Sequence, residues 1–299
     1  MLGLPAEFSA DFLSRLEHLR LKTRRELQGM GKGSHLSPRR GSSLEFAGFG
    51  HYSDGDDLRY VDWNLFARTD RLYVKLFKEE EDLLTQLFVD ASASMACPQA
   101  DRKFDFARAA ALALAYVALA SGDRVMVRVL GGTALPASPG MVKGRHRIAD
   151  LAAYLSAVRP AGGLDLPAAL ARELALVRRA GKVFLVSDFL MAPRALTDGL
   201  RLLTGANVDA TAVQVLGGLE LESADLSGEV EVRDVETGER AVVTLGTQER
   251  GALQRALARF SRELKAFCLR HGLRYALYVT SEPFTTFFMR AVTDLGLAH

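Results

Sequence analysis

Hydrophobic and polar positions alternate along this chain in blocks that predict strands and helices in turn. From residue 84 onward, short apolar runs predict strands, and longer segments with an apolar residue every three or four positions predict helices. The predicted strands cover residues 84–90, 123–130, 182–188, 208–216 and 275–279; the predicted helices cover residues 103–121, 147–157, 166–179, 193–204, 247–271 and 283–295. This alternation requires crossover connections, so we expect a doubly wound α/β fold with a mainly parallel sheet.

The remaining segments interrupt this rhythm. An apolar stripe predicts a helix over residues 8–29, and the Gly-, Ser- and Arg-rich residues 29–43 predict a flexible linker. Short strands and turns are expected in 44–83, and a hairpin in 228–245. We expect the segments 44–77 and 217–245 to build one small β portion together. The expected organisation is an N-terminal helix and basic linker (1–43), a β segment (44–83), an α/β core (84–216), a β-hairpin elaboration (217–246) and a C-terminal helix–strand–helix that completes the core (247–299).

Composition and charge narrow the functional classes. The 299 residues are 48% apolar and 25% charged, which is typical of a globular protein, and the two cysteines, Cys97 and Cys268, exclude a disulfide framework and favour a reducing compartment. The longest apolar run, 109–120, is too short to span a bilayer, and no signal-peptide pattern is present. The basic stretch 20–40 has no interleaved aromatic residues, which argues against binding of single-stranded nucleic acid. We therefore expect a soluble cytoplasmic protein.

Oxygen-bearing side chains come after two of the predicted strands. Asp90, Ser92 and Ser94 come at the end of the first core strand, and Asp188 comes at the end of a later one. Ligands of open α/β sheets bind beyond the carboxyl ends of the strands, and hard oxygen ligands suit Mg²⁺ or Mn²⁺. The alternative is structural, since Asp and Ser at strand ends also cap turns and helices without any metal.

These motifs resemble two known families. Asp90-x-Ser92-x-Ser94, Gly162-Gly163 before a helix and Ser187-Asp188 are similar to the metal-ion-dependent adhesion site of von Willebrand factor A domains. The upstream segment resembles the signature of the DUF58 family, bacterial proteins often associated with MoxR-type AAA+ ATPases, and the resemblance extends over residues 41–295. The signature residues are Glu45-Phe46-Ala47-Gly48, Tyr52, Gly55-Asp56-Asp57, Arg59, Val61-Asp62-Trp63, Ala67-Arg68 and Val74-Lys75.

The resemblance implies a sheet of von Willebrand factor A type with a divalent cation, Mg²⁺ or Mn²⁺, held by Asp90, Ser92, Ser94 and Asp188. An open coordination position of that cation would accept a carboxylate from a partner protein. One departure concerns the threonine that such sites carry in a Gly-Gly-Thr loop. Here Leu164 stands in its place, and leucine donates no oxygen; Asp165 is the candidate substitute.

The signature side chains have two interpretations. In the first, the charged residues form an ion-pair network that fixes the β segment to the core, with Trp63 packed beneath it. These charged residues are Asp56, Asp57, Arg59, Asp62 and Arg68. In the second, these same residues form a surface for a partner protein.

The function expected from these patterns is a non-enzymatic protein-interaction module that binds an acidic residue of a partner through the cation. It would act with a MoxR-type AAA+ ATPase in complex maturation or in a stress response. Two alternatives remain: a metal-dependent phosphohydrolase with Asp90 as nucleophile, and a metal-free scaffold. The phosphohydrolases in question carry a second aspartate as general acid where this chain has Ser92.

Overall fold

A six-stranded, mostly parallel sheet organises the larger part of the chain. The computed structural model describes residues 5, 7–19, 21, 45–78, 83–175, 181–206, 208–222, 228–233, 240–245 and 247–296. The chain divides into two compact units: residues 28–82 form the smaller, and residues 1–27 together with 83–299 form the larger.

The strands of the central sheet are β3 (Leu84–Asp90), β4 (Arg124–Leu130), β5 (Met141–Lys143), β6 (Gly181–Ser187), β7 (Val208–Leu216) and β10 (Arg274–Val279). They are ordered β10-β7-β6-β3-β4-β5, and all neighbours are parallel except β4 and β5. Such an order, with crossovers running to both sides of β3, is that of a doubly wound sheet. The predicted fold class is therefore confirmed.

Helices cover both faces of this sheet. The helices of the larger unit are α1 (Ala10–Glu17), α3 (Lys103–Ala120), α4 (Ile148–Ala157), α5 (Leu166–Ala175), α6 (Pro193–Gly205), α7 (Gly218–Glu222), α8 (Thr247–Arg270) and α9 (Phe284–Asp294). Buried residues of α1, α3, α4 and α9 form one hydrophobic cluster, and those of α5, α6 and α8 form a second on the other face. Because both faces are covered, the strands are nearly continuous apolar runs, as the sequence shows. None of the described helices has the length and apolarity needed to cross a membrane.

The N-terminal helix is shorter than predicted. It begins at Ala10 and ends at Glu17, and the rest of the predicted range up to residue 29 lies outside the described residues except for 18, 19 and 21. A tertiary contact is found beyond this end of the helix. The buried ammonium of Lys182 donates a hydrogen bond of 2.5 Å to the carbonyl oxygen of Leu21, which holds this residue in a non-helical conformation at β6.

Two further elements differ from expectation. β5 has only three residues, too few for an alternating pattern to indicate a strand, yet it pairs antiparallel with β4 and forms one edge of the sheet. α5 is described as far as residue 175, so the last predicted residues of this helix, 176–179, lie outside the described part of the chain.

The smaller unit contains a β-hairpin and a short helix. β1 (Glu45–His51) pairs antiparallel with β2 (Tyr73–Lys78), and α2 (Trp63–Thr69) lies between them in sequence. In the larger unit, β8 (Gly228–Arg233) pairs with β9 (Arg240–Leu245) as the turn signal predicted. The two strand pairs form separate sheets, so the expected single β portion from 44–77 and 217–245 is wrong for the described strands. In each pair the strands that are close in sequence bond to each other. The predicted linker 29–43 lies outside the described residues.

Candidate functional site

Asp90 ends β3 at the carboxyl edge of the sheet, where it is fully buried. Its Oδ1 accepts a hydrogen bond of 2.8 Å from the backbone N–H of Ser92, and its Oδ2 accepts one of 2.6 Å from the Ser187 hydroxyl. The first bond closes the turn after β3. The second joins β3 to β6, because these strands are adjacent and parallel. Both carboxylate oxygens of Asp90 are thus bonded to groups of the protein itself.

The two serines of the motif lie beside each other in the next turn. The hydroxyl oxygens of Ser92 and Ser94 are 3.0 Å apart. Two glycine loops hold this turn: the N–H of Ala93 donates to the carbonyl of Gly162 at 2.8 Å, and a Cβ at Gly131 would lie 3.3 Å from the nitrogen of Ser92. Gly131 has a φ of +75°, which favours glycine. The chain therefore brings the motif together through its own contacts.

A buried lysine, which no sequence pattern indicated, lies at the same edge of the sheet. Lys103 begins α3, and its side chain is 1% exposed. Its Nζ donates hydrogen bonds to Oδ2 of Asp188 at 2.9 Å and to Oε1 of Glu220 at 2.6 Å. Asp188 comes after β6 and Glu220 belongs to α7, so one ammonium group joins three elements.

Burial and the neighbouring carboxylates have opposite effects on the pKa of Lys103. Burial lowers the pKa of Lys103, but the carboxylates of Asp188 and Glu220 outweigh burial and leave that pKa raised, so Lys103 stays charged. Burial also raises the pKa of Asp90 to about 6, and the nearby charge of Asp188 adds to the shift while hydrogen bonds from Ser187 and Ser92 oppose it. The site thus contains a buried cation, Lys103, and one carboxyl group with a raised pKa, Asp90.

This charge arrangement does not fit a divalent cation. The ammonium of Lys103 already lies 2.9 Å from a carboxylate oxygen of Asp188, and a dication beside it would meet a strong repulsion in a buried environment.

The loop that would complete the metal site has other contacts. Leu164 is partly buried and packs against the apolar cluster beneath α5 and α6. The exposed Asp165 accepts a hydrogen bond of 3.0 Å from the N–H of Ala168, as a helix cap does. Asp165 is thus engaged at the start of α5, and binding of Mg²⁺ or Mn²⁺ stays a prediction that these contacts do not support.

The pKa of Asp90 gives an expected dependence of stability on pH. The pKa of this carboxyl rises from an ordinary value of 3.8 to about 6 in the folded state, so the folded state binds the proton more tightly than the unfolded state. Its contribution to the free energy of unfolding is largest below pH ~4 and falls by about 3 kcal/mol as the pH rises through ~6. Denaturant unfolding of the wild type should show this fall, and Asp90→Asn should remove it. Parallel pH profiles of the two proteins would contradict this expectation.

The acids of the signature segment make local contacts. Oδ2 of Asp57 accepts a hydrogen bond of 2.9 Å from Nε of Arg59, whose side chain is 72% exposed, and the same acid caps the short turn 58–60. The hydrogen bonds from Arg59 lower the pKa of Asp57. Asp56 accepts a hydrogen bond of 2.9 Å from the N–H of Ser53. Each of these contacts closes a turn of the smaller unit.

Asp62 and Arg68 are the remaining charged residues of the predicted network. Asp62 accepts hydrogen bonds of 3.0 Å from the backbone N–H groups of Asn64 and Leu65 at the start of α2, and its carboxylate lies 3.2 Å from the ammonium of Lys75. Arg68 is exposed and forms no ion pair with the described residues. Of the predicted five-residue network, the described residues contain the Asp57–Arg59 ion pair alone. Asp56 and Asp62 instead accept hydrogen bonds from backbone N–H groups, which lie within reach of short acidic side chains.

Trp63 does not pack beneath these charges, as one interpretation predicted. Its side chain is 59% exposed, and its ring meets the edge of Phe66 at a centroid distance of 6.2 Å. Leu58 and Phe49, in the same unit, are 54% and 46% exposed. Contiguous exposed apolar patches mark interaction surfaces, whereas single exposed apolar side chains are common on soluble proteins. The structure therefore does not place Trp63 in the buried position that the first interpretation assigned to it.

Comparison with known proteins agrees with the signature. Residues 49–263 match the family model described as "Protein of unknown function DUF58". Uncharacterized proteins of Mycobacterium tuberculosis and Mycobacterium bovis are each 31% identical to this chain over 229 residues, 75% of this chain and 70% of theirs.

Two solved structures show a distant likeness. BatB from Bacteroides thetaiotaomicron has a TM-score of 0.43 at 12% identity, over 72% of this chain and 98% of its own. A von Willebrand factor type A protein from Catenulispora acidiphila has a TM-score of 0.40 at 13% identity, over 75% of this chain and 44% of its own. The strand order defines the fold, and the sequence matches define the family: this chain belongs to the DUF58 family.

Proposed function

We propose that this chain is a non-enzymatic protein-interaction module that engages its partner with the surface of the smaller unit around Trp63. The observation that carries the proposal is the 59% exposure of this tryptophan within the family signature. Tryptophan is enriched among the few residues that supply most of the energy of an interface, and it is highly buried on average.

The contacts of Asp90 support binding over catalysis. A phosphohydrolase would need this carboxylate free and within reach of a phosphate group. Asp90 is instead fully buried, and both of its oxygens accept hydrogen bonds from the protein. Its role in this proposal is structural: it ties the turn after β3 to the end of β6.

The buried lysine supports a metal-free form of the module. Lys103 supplies the positive charge at the carboxyl edge of the sheet, so a cation-bridged contact with an acidic residue of the partner is not part of the proposal. The network of Lys103, Asp188 and Glu220 fixes α3 and α7 to the sheet.

The proposed partner is a MoxR-type AAA+ ATPase, acting with this chain in the bacterial cytoplasm in complex maturation or a stress response. The family resemblance suggests this partner class. The test is direct binding of the whole chain to a purified MoxR-type ATPase, with phosphatase turnover measured in parallel. We expect saturable binding and no turnover. Robust turnover that Asp90→Asn abolishes would overturn the proposal, and so would the absence of binding.

A further inference from the structure

A groove runs along the outer edge of β10, which is the last strand of the central sheet on that side. Its volume is about 710 Å³. The consecutive residues 274–277 of β10 line its floor, residues of α8 line one wall, and residues of α9 line the other. No described strand pairs with this edge of β10, which therefore presents backbone N–H and C=O groups to the groove.

The groove has apolar side chains in its walls. Leu269 on α8 is 54% exposed, and Phe287 and Leu295 lie opposite with Ala291. An open strand edge between two apolar walls matches the recognition of extended peptides, in which a peptide adds a strand to a sheet and its alternate side chains enter pockets. Four lined residues of β10 correspond to about 13 Å, the length of a short strand of four or five residues.

The charged residues around the groove indicate which kind of peptide segment it would bind. The side chains of Arg262 and Lys265 on α8 are exposed and form no ion pair with the described residues. Arg290 lines the opposite wall and is paired with Glu282. Asp294 is the one acidic residue among the described residues that line the groove. The positive charges on the α8 wall favour an acidic ligand.

A buried donor adds a second and independent observation. Arg274 at the start of β10 is 5% exposed, and its Nη1 donates to Oδ2 of Asp209 at 2.8 Å. Its Nε is buried and has no hydrogen-bond partner among the described residues. Buried polar groups are nearly always satisfied, so this nitrogen needs an acceptor that the described residues do not supply.

We propose that this groove binds an extended acidic segment of a partner protein, which adds to the sheet as a strand beside β10. Its backbone pairs with the open edge, its apolar side chains contact the α8 and α9 walls, and its carboxylates meet Arg262 and Lys265. This surface rests on the proposed function only in that the chain is an interaction module. Its lining residues belong to the larger unit, whereas Trp63 belongs to the smaller one.

Fluorescence anisotropy with labelled peptides tests this inference on the whole chain. The probes are a hexapeptide of alternating glutamate and valine, the matched peptide of lysine and valine, and the glutamate peptide with alternate amides N-methylated. We expect the glutamate peptide to bind, and the other two to bind at least about tenfold more weakly because they lose charge complementarity or strand pairing. Equal binding of all three peptides, or no binding of the glutamate peptide, would overturn the proposal.

Charge reversal locates the site. Arg262→Glu/Lys265→Glu should weaken binding of the glutamate peptide by about tenfold or more. The matched control, Arg255→Glu/Arg270→Glu, makes the same change on exposed residues of α8 that do not line the groove, and it should leave binding unchanged. Equal losses in both variants would show general electrostatic attraction and overturn the site.

A third variant separates this proposal from the proposed function. Trp63→Ala should bind the glutamate peptide with the same affinity as the wild type, whereas its binding to the ATPase should be much weaker. If the ATPase does not bind the wild type but the glutamate peptide binds as expected, the proposed function is wrong and the peptide-binding groove is supported. If the peptide result fails while the ATPase binds, the groove is wrong and the proposed function stands.

Discussion

Lys103→Met is expected to lower the free energy of unfolding by about 3–5 kcal/mol, the usual effect of removing one member of a buried ion pair. Methionine retains most of the length of the lysine side chain but not its charge. The loss therefore comes mainly from Asp188 and Glu220, which are left as two carboxylates without a counter-charge. The side chains of Asp188 and Lys103 are each 1% exposed, so water cannot replace the missing ammonium unless the surrounding structure rearranges. Denaturant unfolding monitored by circular dichroism measures this loss.

Two further variants make the result specific. Lys265→Met removes a charge from an exposed position, and its effect should lie within about 0.5 kcal/mol of zero. Lys103→Met/Asp188→Asn/Glu220→Gln removes the charges on both sides and should recover part of the loss, because neutral buried groups are less costly than unpaired charges. An unfolding midpoint of Lys103→Met equal to that of the wild type would show that the ion pairs do not stabilise the fold.

Trp63→Ala is expected to weaken binding to the MoxR-type ATPase by about 30-fold or more, the equivalent of the roughly 2 kcal/mol that defines an interface hot spot. The same substitution should leave the free energy of unfolding nearly unchanged, since this side chain is 59% exposed. Surface plasmon resonance with the purified ATPase measures the first quantity, and denaturant unfolding measures the second.

A matched control is available in the larger unit. Leu253 on α8 is 48% exposed, and Leu253→Ala removes a comparable exposed apolar side chain away from the signature segment. It should not change the affinity. If Trp63→Ala retains full affinity while the ATPase binds the wild type, the partner surface lies elsewhere. If Trp63→Ala loses several kcal/mol of stability, the tryptophan is structural after all.

The fold class was predictable because its signals are local and repeated. Apolar runs of strand length alternate with segments of helical periodicity, and this pattern alone requires a parallel sheet with crossover helices. β5 was not predicted because its three residues are too few to show the alternating apolar and polar pattern of a strand. The end of α1 was misplaced because the apolar pattern continues beyond Glu17, whereas residues 18, 19 and 21 are not helical and the carbonyl of Leu21 accepts a hydrogen bond from Lys182.

The site was predictable only in part. Asp90, Ser92 and Asp188 were found because acids and hydroxyls at strand ends are visible in sequence, and the sheet order brings those ends together. Lys103 was missed because a basic residue at the first position of a helix is usually solvated, and only the packing of α3 and α7 reveals that it is buried. Its presence changes the expected chemistry of the acids around it.

The prediction for Trp63 was wrong in the opposite direction, because a side chain that was expected to be buried is exposed. A lone tryptophan among charged residues is usually expected to be buried, and the charges around it suggested a network above it. In the structure those charges cap α2 and close turns, and the ring stays exposed. Such local satisfaction of acidic side chains by backbone N–H groups is common and short in range, but it competes with ion pairing in a way that spacing alone does not resolve.

We infer that this module carries its own cation, Lys103, and binds its partner without a metal. Isothermal titration of the wild type with millimolar Mn²⁺ tests the claim most directly, with Lys103→Met titrated alongside. We predict no saturable heat from the folded wild type. Stoichiometric binding to the wild type that Asp188→Asn abolishes would contradict the claim and restore the cation-bridged mechanism.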